Sequence, residues 1–239
     1  MCRYAHTKTT SMLMTSPQYV ARGWPTFERS VSLLGKSSTS QYSWPAIIDA
    51  GREDGRAKRP MAPTPAAFAV LLESGSVKFT NDSDIRMVAN LYSDTATALL
   101  SGADRLEYPG LDWGDDDVAG LCEWLPTCTR LERLRLDGHP RLGNRGLVEL
   151  AKVFGRPKVL LHLTDLFLGH ESITMSGAEK RVLPRISNEG LDALTSMLRD
   201  GALPKLESLF IIGKTKASSA SKSALMQVCK GRRIRCHLD

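Results

Sequence analysis

Apolar residues in the C-terminal half of the chain follow a rhythm that changes every dozen positions. In LERLRLDGHPRLGNRGLVEL (131–150), Leu131, Leu134 and Leu136 are followed by Leu142, Leu147 and Leu150. The first three fit a short strand and the later ones the buried face of a helix. The strand set returns as Leu163, Leu166 and Leu168, and again as Leu206, Leu209 and Ile211. Helix sets return with it. Val118, Leu121 and Leu125 in GDDDVAGLCEWL (114–125) match Leu147, Leu150 and Phe154 in GNRGLVELAKVF (143–154). Leu191, Leu194 and Leu198 in SNEGLDALTSML (187–198) match both. A weaker fourth helix is ASKSALMQVCKG (220–231), and KGRRIRCHLD supplies a last short strand whose charges cover the end of the stack. One strand–helix unit cannot bury its own apolar face, so the pattern predicts units stacked on a shared core.

Upstream, Thr64 and Pro65 read as helix N-cap and first helical residue, with Gly75 as the stop. A second helix is predicted over 84–100, burying Ile85, Val88, Tyr92, Ala96 and Leu99. Residues 1–63 contain the breaker-rich stretches GKSSTSQYS and GREDGRAKRPMAPTP, and read as a poorly ordered leader. Two apolar islands interrupt it, at 19–35 and 42–51. In the first, Phe27, Val31 and Leu34 share a helix face after Pro25. Trp24 and Trp44 each precede a proline, which favours extended backbone there. The reading is thus a leader (1–63), a helical N-terminal cap (64–102) and a repeat region (103–239).

Three LxxLxL sets, each tied to a helix signature, resemble the leucine-rich repeat of the ribonuclease-inhibitor type over about 103–239. The resemblance implies an α/β solenoid: a short horseshoe of parallel strands with outer helices, in about four repeats of roughly 28–29 residues. There are three departures. The family carries Asn or Cys three residues after the last strand leucine, bonding loop backbone; here those positions are His139, Glu171 and Lys214. The first repeat reads RLEYPGLDW (105–113), with Pro109 interrupting its strand. TMSGAEKRVLPRI (174–186) is an insertion, read either as a functional loop or as a gene-model artefact, because the frame resumes straight after it.

Charge and cysteine content narrow the picture only slightly. A net charge of +6 over 239 residues is a mild bias toward acidic partners. Five cysteines (Cys2, Cys122, Cys128, Cys229, Cys236) without a CxxC pair read as free thiols in a reducing compartment. No run approaches the ~20 apolar residues of a membrane span. MCRYAHTKTTSMLM lacks a secretory apolar core and carries only a faint transit-peptide character. A cytoplasmic location is expected, with the nucleus as the alternative. Nothing matches a nucleotide-binding glycine motif or HExxH, so no catalytic residue, metal or cofactor is expected. Asp115, Asp116 and Asp117 open a helix, where acidic residues offset the positive end of its dipole. His139, His162 and His237 read as structural or solvated, and Cys122 as near the core.

In such a repeat the residues between the strand leucines face solvent on the concave side. That exposes Arg133, Arg135, Asp137, Asp165, Phe167, Phe210 and Ile212. Arginine beside phenylalanine is a composition favoured where proteins meet. The expected function is a monomeric, non-enzymatic module or scaffold that binds a protein partner through this face. There are two alternatives. RGWPTFE (22–28), with Arg22, Trp24 and Glu28, resembles a short motif found ahead of repeat regions; it could mark a truncated enzyme-like or sensor domain, or a packing element docked on the first repeat. Seven basic residues from Lys214 to Arg235, with no acidic one among them, could bind a phosphate backbone, though no aromatic residues interleave.

Overall fold

The computed structural model describes residues 21–35, 60–169 and 185–238. The described residues open with three helices, α1 (Gly23–Gly35), α2 (Pro65–Glu73) and α3 (Ser83–Gly102). Strands and helices then alternate: β1 (Arg105–Glu107), α4 (Asp115–Trp124), β2 (Arg133–Leu136), α5 (Asn144–Phe154), β3 (Asp165–Gly169), α6 (Asn188–Arg199), β4 (Ser208–Ile212), α7 (Ser219–Gly231) and β5 (Arg235–Leu238). A 3-10 turn, Leu125–Thr127, extends α4. The five strands form one open, wholly parallel sheet in chain order, giving an α/β fold.

α2 starts where the sequence signals it. The Thr64 hydroxyl accepts the Ala67 N–H at 3.3 Å, and Pro65 needs no hydrogen-bond partner for the N–H it lacks. In α3 the buried stripe is Val88, Tyr92, Ala96 and Leu100; the expected Leu99 is 41% exposed. Four-residue spacing holds to the end of the helix, whereas the predicted last step of three turns the chain away from the core. Trp24 is not extended. It lies in the first turn of α1, a position where Pro25 is tolerated. Gly23 approaches the Phe79 ring so closely that a Cβ would stand 2.0 Å from it. Trp44 and the 42–51 island lie outside the described residues, as does most of 174–186.

α1 packs on α3, and α2 packs on α3 beside it. Phe68 stacks on Tyr92 at 4.0 Å, while the Tyr92 hydroxyl donates to the Pro63 carbonyl at 2.6 Å. Tyr108, just past β1, donates to the Leu34 carbonyl at 3.1 Å and so ties α1 to the start of the sheet. Pro109 follows β1 and shortens it to three residues.

Inside the sheet, Leu106, Leu134, Leu166, Leu209 and Cys236 stand side by side in register. A second inward row is Leu136, Leu168, Ile211 and Leu238. These rows share one core with Val118, Leu121, Leu147, Leu150, Leu191, Leu194 and Leu225 of the helices. Ile186 belongs to this framework rather than to an insertion. It is buried one residue before the N-cap Ser187, as Leu142 is before the N-cap Gly143, and its carbonyl accepts the Lys216 N–H at 2.8 Å.

Successive units are joined by a recurring side-chain bond. The first residue of α4, α5 and α6 accepts the N–H of the next helix's N-cap residue. Asp115 accepts from Gly143 at 2.7 Å, Asn144 from Ser187 at 2.8 Å, and Asn188 from Ser218 at 2.7 Å. Helix N-termini carry amides without intrahelical partners, so a side-chain acceptor here is stabilising.

Candidate interaction face

Residues that alternate with the inward leucines stand on the face of the sheet opposite the described helices. Register places Glu107, Arg135, Phe167, Phe210 and His237 in one row, one residue from each strand. Four of them form a continuous stack. The Arg135 guanidinium lies over the Phe167 ring at 5.3 Å. Phe167 and Phe210 are stacked at 4.6 Å with planes 2° apart. His237 follows Phe210 at 5.9 Å, tilted by 44°. Each such contact adds on the order of 0.5–1.5 kcal/mol beyond burial and leaves little rotamer freedom to lose on binding.

Arg135 is held from below. Its Nε and Nη2 donate to the two Asp137 carboxylate oxygens, both at 3.0 Å. The Arg135 side chain is 15% exposed and that of Asp137 wholly buried. A fork-shaped pair of this kind fixes the guanidinium plane as well as its charge.

The parallel row is Arg105, Arg133, Asp165, Ser208 and Arg235. Arg133 pairs with Asp165 across the strands at 3.5 Å, and the Thr164 hydroxyl donates to the same carboxylate at 3.0 Å. Arg235 donates to the Ser208 hydroxyl at 2.9 Å. Arginines thus line one side of the aromatic strip, and Arg135 stands at its β2 end.

Five of the seven residues read from sequence as solvent-facing occupy this face: Arg133, Arg135, Asp165, Phe167 and Phe210. The other two differ. Asp137 is buried because its short side chain turns back beneath Arg135. Ile212 is buried at the end of β4, opposite Gly169, where the two backbones meet so closely that a Cβ on Gly169 would stand 2.1 Å from the Ile212 carbonyl. Arg105, Glu107, Arg235 and His237 join the face without having been singled out. The alternation of Ile234, Cys236 and Leu238 toward the core was the signal that would have placed Arg235 and His237 outward.

His139 bonds loop backbone from inside the core. It is fully buried, its Nδ1 accepts the Trp113 N–H at 3.3 Å, and its ring lies parallel to the Trp113 indole at 5.4 Å. Burial pulls its pKa down to about 4, and the charge of Asp137 opposes this only in part.

The acidic triplet is occupied by the fold. Asp117 accepts the Gly114 N–H at 2.9 Å, Asp116 pairs with Arg145, and Asp115 joins the next unit. Among the described residues no group of three or more His, Cys, Asp or Glu side chains is placed to hold a metal ion. RGWPTFE is a packed element. Arg22 bridges to Lys78, and Trp24, Phe27 and Tyr92 meet edge to face. In the basic C-terminal stretch, Arg232 donates to the carbonyls of Leu198, Ala202 and Leu203 at 2.7–2.8 Å. Among the described residues no helix is long and apolar enough to cross a membrane.

No protein-family model matches the sequence, and no curated protein matches it significantly.

Proposed function

We propose that this chain is a leucine-rich-repeat protein of the ribonuclease-inhibitor type, and that it binds a protein partner through the face of its sheet opposite the described helices. The observation that carries the reading is the stack Arg135–Phe167–Phe210–His237, braced by the buried Asp137. A row of pre-packed planar groups with arginines beside it has the composition and rigidity of a binding hot spot. The mechanism is complementarity of shape and charge, with no bond-making step and no cofactor. The protein acts as a monomer in the cytoplasm, where free thiols persist. Because the Phe167 and Phe210 faces are turned toward each other, the strip offers ring edges to a partner. That suits the side chains of a protein helix or loop better than a nucleic-acid base seeking a free ring face.

The test compares proteins captured from source-cell lysate by the full chain, by Phe210→Ala/His237→Ala and by Met226→Ala, which changes an exposed residue of α7. The expected result is a captured protein that survives raised salt, is lost by the sheet-face variant and is kept by the helix variant. Equal capture by all three would refute the assignment of the face.

A further inference from the structure

The last helix and the last strand bring two thiols together. Cys229 lies in the final turns of α7, and its carbonyl accepts the Ile234 N–H at 2.8 Å, which seats the start of β5 against the helix end. Cys236 comes two residues after Ile234, so both side chains lie on one side of the strand, and that side packs on the core. Cys229 is buried, while Cys236 is half-buried on the terminal strand of the sheet. The end of α7 packs directly on β5. The neighbouring Cys236 thiol, followed by burial, pushes Cys229 up, and Cys229 in turn pulls Cys236 down. Cys122 and Cys128 differ: both are buried and pushed up to about 12, chiefly by desolvation.

We infer that Cys229 and Cys236 are a site of reversible thiol oxidation, at which a peroxide closes a disulfide between α7 and β5. The Cys236 thiolate attacks one peroxide oxygen, the O–O bond breaks, and the departing hydroxide takes a proton to become water. Cys236 is then a sulfenic acid. The Cys229 sulfur attacks the Cys236 sulfur, the S–O bond breaks, and the oxygen leaves as water with the Cys229 proton. Two electrons pass from the thiol pair to the peroxide. Cys236 acts first because the half-buried thiol is the one a peroxide reaches, and the buried Cys229 resolves it. The bond would staple β5 to the helix layer, immediately beside His237 at the end of the stacked row.

The full chain is treated with hydrogen peroxide under native conditions, its remaining thiols are blocked, and intact mass and peptide maps are read. The expected product has lost two hydrogen atoms, contains a Cys229–Cys236 cross-linked peptide and is restored by dithiothreitol. Cys236→Ser should give no such product. Cys229→Ser should leave a Cys236 sulfenic acid that dimedone traps; if that variant does not fold, the wild type and Cys236→Ser decide between them. Oxygen added to Cys236 without a cross-link, a covalent dimer, a bond from Cys236 to Cys2, or no change would each overturn the assignment.

Discussion

The buried imidazole of His139 makes the stability of this fold depend on pH in a way that one substitution isolates. Burial holds its pKa near 4 in the folded chain, whereas an unfolded histidine titrates near 6.5. The folded value is the lower one, so as pH falls the unfolded chain takes up the proton first. His139 therefore contributes fully above about pH 6.5, and its contribution is lost as pH falls toward 4. Linkage over that interval amounts to about 2 kcal/mol between pH 7 and pH 5, approaching about 3 kcal/mol near pH 4. His139→Asn keeps an acceptor for the Trp113 amide and removes the proton uptake. It also removes the stacking on Trp113, which costs about 1 kcal/mol at every pH, so the informative quantity is the slope with pH. Urea unfolding at pH 7, 6 and 5 measures it. Wild type should lose about 2 kcal/mol more than the variant over this range. Equal losses in the two proteins would refute a neutral, buried imidazole.

Other predictions rest on single contacts. Asn144→Ala leaves the Ser187 amide without its acceptor and should cost about 1–3 kcal/mol in urea unfolding; a cost below about 0.5 kcal/mol would deny the side-chain spine its structural role. Arg232→Met strips a charged donor from three carbonyls near the end of α6 and should cost about 2–3 kcal/mol, seen as a lowered melting temperature. Arg133→Glu should change stability by no more than about 1 kcal/mol, since its pairing with Asp165 is partly solvated. Arg135→Glu should cost about 3–5 kcal/mol by stranding the buried Asp137 carboxylate; equal effects at 133 and 135 would contradict the brace.

Much of this was legible in the sequence because period encodes face. The strand leucines read as inward are buried, and the matched helix triplets at 118–125, 147–154 and 191–198 all enter the core. Alternation fails where a side chain is short enough to fold back, as at Asp137, or where two backbones close on each other, as at Gly169 and Ile212. The proline rule fails at Trp24 because a helix's first turn accepts proline as readily as extended chain does. The spine was harder to see. Asp115, Asn144 and Asn188 each begin a helix, and an acidic or amide residue there reads equally as a local cap. Its true partner is an amide in the following unit, and that pairing emerges only once the units are stacked. The aromatic row has the same origin. Phe167, Phe210 and His237 are far apart in sequence and become neighbours only through register.

The spine also gives the stack a direction and a rule for growth. The α5 and α6 units each carry a pin, the first side chain of the helix, and a socket, the N-cap amide just before it. Pins point one way along the array. A segment copied from one helix start to the next would carry both parts, so tandem duplication after α5 would bring its own fastening to the units on either side. Length could then change through a single event in the gene, without any residue having to be refitted at the joins.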